Sequence, residues 1–209
     1  MRRHLFFLFV FILFVSLTNL MADSAKTYNQ KIELAKKAII KKRYTSAVVH
    51  LNSVLQQLKR IQIEHIEMFF PAKFQTFNRD EPEEDLNDMV SQHSESGVLY
   101  SSQYHNKTGG VLEINIVHRD PSISEFKTLV RNPHMAKNLD NTDVIKVNEK
   151  YYALEKYSEE DKYIERNIIL NNETMLNFIV NGIEGRSFLD EICQKIDLKK
   201  IDRYLSSEL

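Results

Sequence analysis

Val98-Leu-Tyr-Ser-Ser-Gln-Tyr-His105-Asn-Lys-Thr-Gly-Gly110-Val-Leu-Glu-Ile-Asn-Ile-Val-His118 is the stretch whose reading decides the fold. Its apolar period is two. Val98, Tyr100, Ser102 and Tyr104 fall on one side of a first strand, and Leu112, Ile114 and Ile116 alternate with Glu113 and Asn115 in a second. His105–Gly110 between them has the Asn, Thr and Gly content of a hairpin turn. Alternation of this kind describes a sheet with one face buried and the other more polar.

Downstream, Asp120-Pro121 opens a helix, with Asp as cap and Pro suited to the first turn. Its apolar positions are Ile123, Phe126, Leu129 and Val130. Strands are expected near Asp143–Val147, Tyr151–Tyr157, Tyr163–Leu170 and Thr174–Val180, parted by short polar turns. Ser187, with Asp190 three residues on, reads as a helix cap, and Asp197 caps a last short helix. Connections this short demand antiparallel neighbours, because parallel strands need long crossovers. Residues 97–209 are therefore expected to form an α+β domain: an antiparallel sheet of about six strands covered by two helices. Tyr100, Tyr104, Tyr151 and Tyr157 stand out in it as a possible interaction surface, since tyrosine is a good contact residue; strand packing is the plainer use of the same residues.

Upstream, residues 71–96 read as an acidic linker, with six carboxylates between Asp80 and Asp88 but without the residue order of a calcium loop. Residues 25–70 read as a helical hairpin. Tyr28, Ile32, Ala35 and Ile39 make one stripe, and Ala47, Leu51, Val54, Leu55, Leu58 and Ile61 make a second. Between Ser24 and Phe70 nine Lys or Arg stand against three Glu, an excess that suits an acidic partner, anionic headgroups or simply a solvated face. Residues 1–24 begin with Arg2, Arg3 and His4 and continue through the apolar run Leu5–Leu17, the pattern of a secretory signal peptide. The expected location is exported and periplasmic, with anchoring by an uncleaved N-terminal helix as the alternative. Membrane contact is expected only if that segment is retained.

The chain has 209 residues, 43% of them hydrophobic and 27% charged, with a formal net charge of −1. That composition is globular and carries no global field toward nucleic acid. A single cysteine, Cys193, rules out an intrachain disulfide and reads as a buried apolar residue. No phosphate loop, dinucleotide fingerprint or nucleophile elbow occurs. His118-Arg-Asp120 imitates a kinase catalytic loop, but position 125 is Glu where that loop needs Asn. His105, His118 and Asp120 could form a dispersed metal site only if the first hairpin brings them together. No cofactor is expected.

Tyr44, Ala47 and Leu51 in "AKKAIIKKRYTSAVVHLNSVL" resemble one tetratricopeptide unit, yet no second copy follows, so an array is not expected. The segments "YTSAVVHLNSVLQQL", "FFPAKF", "LEINIVHRDPSISEF", "VRNPHM" and "IKVNEKYYALEKY" are similar to a family of uncharacterised exported bacterial proteins that join a helical hairpin to a small sheet domain. The family's Gly-Trp is replaced here by the region of Phe74 and Phe77. By element order the sheet domain also resembles the PsbP-like class. These resemblances imply a fold and an exported location and transfer no catalytic residue. The function expected is that of a non-catalytic cell-envelope binding or scaffold protein, with another envelope protein as a possible partner. The alternatives are a carrier for a small apolar ligand held by Phe126, Leu129, Ile168 and Phe178, and an enzyme with a dispersed metal site.

Overall fold

The computed structural model describes residues 28–81, 97–183 and 185–207. The expected signal peptide and most of the expected linker lie outside these residues. The chain divides into two compact units between Lys59 and Arg60, inside one helix.

The first unit holds α1, residues 28–40, and most of α2, Tyr44–Glu67. Lys42 takes the left-handed conformation (φ 57°) that ends a helix, and Arg43 N–H donates back to Ala38 O at 2.8 Å. Ala35, Ala38, Ala47 and Val54 are buried, and Lys31 Nζ donates to Ser53 Oγ at 2.7 Å, tying the two helices. The second sequence stripe splits here. Ala47 and Val54, seven residues apart, share the buried line, whereas Leu51, Leu55 and Leu58 are exposed.

The second unit is built on one antiparallel sheet, which makes the fold α+β. Among the described residues there are eight strands and six helices in all. The strands are β1 Lys73–Phe74, β2 Phe77–Arg79, β3 Val98–His105, β4 Val111–His118, β5 Thr142–Val147, β6 Tyr151–Ser158, β7 Tyr163–Ile169 and β8 Thr174–Asn181. Their order across the sheet is β1-β2-β3-β4-β8-β7-β6-β5. Two meanders, β1–β4 and β5–β8, thus meet where β4 pairs with β8. The count exceeds the expected six because the sheet begins at Lys73, before Gly97. Strands of two and three residues are too short to show a period, and Gln75 (φ 51°) turns the chain between them.

Register divides the side chains into two faces. Leu112, Ile114 and Ile116 of β4 stand beside Val180, Phe178 and Leu176 of β8 on the core face. All six are fully buried. Ile66 and Phe70 from the end of α2, Phe74 and Phe77, and the helices α5 (Ser187–Lys195) and α6 (Leu198–Ser207) complete that core. Asp197 Oδ1 accepts the Lys200 N–H at 3.0 Å, capping α6 as its sequence predicts. The cap expected at Ser187 does not form; Asp190 pairs with Arg166 instead, at 2.8 Å.

α3 (Ser122–Arg131) follows β4 after a left-handed Arg119 (φ 56°), and α4 (Pro133–Ala136) leads on to β5. Asp120 Oδ1 accepts the Ser122 N–H at 2.8 Å, the role its sequence predicts. α3 does not roof the core as expected, because its Phe126 reaches the opposite face of the sheet. A bulge between Val98 and Tyr100 also moves Val98 to that opposite face, beside Val117. No helix among the described residues is long and apolar enough to cross a membrane.

Candidate functional site

The second face of the sheet carries the most organised polar group. Asn115 on β4, Asn177 on β8 and Asn167 on β7 lie in register across three adjacent strands. Because a one-residue step flips a strand side chain to the other face, all three amides project away from the core. Asn115 Nδ2 donates to Asn177 Oδ1 at 3.2 Å, and Asn177 Nδ2 donates to Asn167 Oδ1 at 2.8 Å. At the ends of this ladder, Asn115 Nδ2 also donates to Glu113 Oε1 at 2.7 Å and Asn167 Nδ2 to Glu165 Oε1 at 2.9 Å. Tyr163 OH closes the chain by donating to Glu165 Oε2 at 2.7 Å. Burial raises the Tyr163 phenol well above the ordinary tyrosine range, and the Glu165 carboxylate adds to it, so the hydroxyl stays protonated and donating.

This network floors an open groove of about 430 Å³. Val98, Val117, Met175 and Ile179 give it apolar ground, and Phe126 of α3 stands in its lining. Among the described residues no ion pair engages Glu113 or Glu165. Strands lie roughly 4.8 Å apart, so the backbones carrying the two carboxylates are separated by about 10 Å, with Ile179 between them. The groove thus offers two carboxylates joined by an amide ladder, beside surfaces for an apolar group.

The tyrosines read from sequence as a possible surface lie elsewhere. Tyr100, Tyr104 and Tyr151 are buried on the core face and Tyr157 is half-buried, so they do not assemble an exposed contact patch. Their alternation, which places Tyr100 and Tyr104 in phase, is the phase of the core. Tyr100 stacks on Phe70 with ring centroids 5.3 Å apart. Tyr104 OH donates to Pro71 O at 3.1 Å and accepts from Arg79 Nε at 3.1 Å. Arg79 also binds Glu67 and Phe70 O, fastening the end of α2. Tyr151 OH donates to Asp202 Oδ2 at 3.0 Å, joining β6 to α6.

The residues expected to hold an apolar ligand do not share a cavity. Ile168 and Phe178 are fully buried on the core face, while Phe126 lies at the groove on the other face. The metal triad is likewise not assembled. His105 ends β3 beside the hairpin turn and His118 ends β4 at the far end, about 23 Å apart along strands of this length. His105 Nδ1 lies 2.7 Å from Asp80 Oδ2, and His118 Nδ1 lies 3.0 Å from Thr174 Oγ1. Among the described residues no group of three or more His, Cys, Asp or Glu converges as a metal site.

A second polar group, which sequence reading missed, is buried in the core. Arg166 and Glu155, directly opposite one another on β7 and β6, are each 1% exposed. Arg166 Nε donates to Glu155 Oε2 at 2.7 Å, and the guanidinium also reaches Asp190 and, at 3.6 Å, Cys193 Sγ on α5. Burial pushes the Cys193 thiol up to about 11, against the opposing pull of Arg166, so it stays protonated and inert as a nucleophile near neutrality. This cluster holds α5 to the sheet, with Asp190 at its exposed edge.

No family model, curated protein or solved structure matches this chain.

Proposed function

We propose that the protein is a non-catalytic binding protein of the cell envelope, and that the groove takes a segment of another envelope protein presenting a lysine or arginine side chain. The observation that carries this is the Glu113–Asn115–Asn177–Asn167–Glu165 chain, whose two carboxylates have no cationic partner among the described residues. A carboxylate already oriented by an amide gives up little freedom when a cation arrives, and charge-assisted hydrogen bonds are about twice as strong as neutral ones. Val117, Met175, Ile179 and Phe126 supply apolar contact for the stem of such a side chain and its neighbours. Location in the envelope is supported by Arg2, Arg3 and His4 before the apolar run Leu5–Leu17, and by the resemblance to exported hairpin-plus-sheet proteins.

The test is a paired measurement. Short Lys- and Arg-containing peptides are titrated into the isotopically labelled chain, and amide shifts are mapped. The expected result is perturbation centred on residues 113–117, 165–167 and 175–179, lost in Glu113→Gln/Glu165→Gln. Envelope crosslinking with the same two proteins should capture a partner with the wild type alone. Shifts elsewhere, or capture that ignores the substitutions, would end this reading.

A further inference from the structure

The turn between α1 and α2 exposes apolar and cationic side chains together. Ile40 is 80% exposed and Tyr44 is 62% exposed, and Ile39, Val48 and Val49 beside them are exposed too. Leu51, Leu55 and Leu58 continue the exposed apolar stripe from Tyr44 and Val48 along α2, at the 4-3-4-3 spacing of one helix face. Lys37, Lys41, Lys42 and Arg43 are all exposed in the same stretch, and among the described residues none of them is in an ion pair. Lys36 beside them is held by Glu33 at 2.7 Å. No Asp or Glu occurs between Glu33 and Glu64, although the whole chain has a net charge of −1. Lys42 even occupies a left-handed position (φ 57°) where glycine is the less strained choice.

We propose that this turn and the exposed face of α2 dock on an anionic phospholipid bilayer. The apolar side chains enter the headgroup boundary, Tyr44 lies at the interface, and the four cations meet lipid phosphates with their stems along the acyl surface. Charge selects this occupant. A second copy packed turn to turn would bring the same four cations against their own kind, and one packed antiparallel along α2 would leave them without anionic partners. An acidic protein would satisfy the cations; a bilayer also takes apolar residues spread around a turn and along a helix, without a shaped groove to receive them. Contact of this kind does not require the apolar run Leu5–Leu17 to be retained.

Co-sedimentation of the full chain with phosphatidylcholine vesicles, with and without 30 mol% phosphatidylglycerol (about one lipid in three), tests the proposal. Each interfacial cation contributes about fivefold to partitioning into anionic membranes. Lys41→Gln/Lys42→Gln/Arg43→Gln should therefore reduce partitioning about 100-fold, and raising the salt should weaken the wild type similarly. Ile40→Ser/Tyr44→Ser should reduce it about tenfold or more with its circular dichroism unchanged. Equal partitioning into neutral and anionic vesicles, or substituted proteins that bind as the wild type does, would overturn the proposal; so would a dimer dissociated by Leu55→Glu without any vesicle binding.

Discussion

Removing the Glu155 carboxylate should be among the most damaging single changes the sheet can suffer. Glu155 and Arg166 face each other on β6 and β7, each 1% exposed, with Nε and Nη2 of Arg166 at 2.7 and 2.5 Å from Glu155 Oε2. In Glu155→Ala the guanidinium stays buried with one remaining carboxylate, Asp190 at 2.8 Å, and a weak contact to Cys193 Sγ. Breaking a buried pair from one side costs about 3–5 kcal/mol. The surviving Asp190 contact puts the expectation at the lower end, about 3 kcal/mol. Replacing both partners, as Glu155→Met/Arg166→Met, removes the desolvated charges along with their attraction and should cost no more than about 1 kcal/mol. Urea unfolding followed by circular dichroism reads the difference. With a slope of about 1.5–2 kcal/mol/M, the single substitution moves the midpoint down by roughly 1.5–2 M while the double stays near the wild type. A double substitution whose cost equals the sum of the singles would show that the pair is not coupled, and the account of how α5 is held would fail.

Three further outcomes follow from local geometry. The β5–β6 connection places Asn148 (φ 48°) and Glu149 (φ 59°) consecutively in the left-handed region, a turn that prefers Asn-Gly. Glu149→Gly should therefore raise stability by about 0.5–1 kcal/mol in the same urea assay, even though glycine loosens the unfolded chain; a loss of stability would contradict the turn. Cys193, its thiol pushed up to about 11 by burial, should not react with a colorimetric thiol reagent at pH 8 until denaturant is added, and rapid native labelling would refute its placement. Burial, with the Arg119 charge adding to it, holds the His118 imidazole below its ordinary 6.5. The unfolded chain then binds the extra proton first, so His118 lowers stability as pH falls through 6.5, and the NMR midpoint of its ring protons should lie below 6.5.

The architecture was legible where alternation ran for several residues. The β3–β4 hairpin and the strands from Asp143 onward emerge from a period of two, and Asn106 builds the first turn as its type suggests, its Oδ1 accepting the Thr108 and Gly110 N–H groups at 3.0 and 2.7 Å. β1 and β2 were not legible, since five residues in two strands carry no measurable period. The placement of α3 was not legible for a different reason: an amphipathic helix shows that it has an apolar side, not which side of a sheet that side meets. The tyrosines show how composition misleads. Tyr100 and Tyr104 stand opposite Ile116 and Leu112, and that phase alone marks them as core. The asparagine ladder carried a faint signal in the same alternation. Asn115, Asn167 and Asn177 each sit out of phase with the buried aliphatics of their strand, but register across β4, β8 and β7 is needed to align them. Arg166 and Glu155 put opposite charges at positions in phase with the core, between Ile164 and Ile168 and beside Ala153, which is the local sign of a buried ion pair.

A formal charge of −1 conceals two surfaces of opposite character. Four cations that form no ion pair among the described residues lie in the first compact unit, and the two groove carboxylates that form none lie in the second. Independent sites respond independently, so each surface supplies the control for the other. Lys41→Gln/Lys42→Gln/Arg43→Gln should leave peptide shifts at residues 113–117 unchanged. Glu113→Gln/Glu165→Gln should leave vesicle partitioning unchanged, or raise it slightly through net charge alone. If the groove substitutions abolished vesicle binding, the bilayer would be contacting the sheet as well as the helical turn, and the assignment of a protein segment to the groove would be wrong.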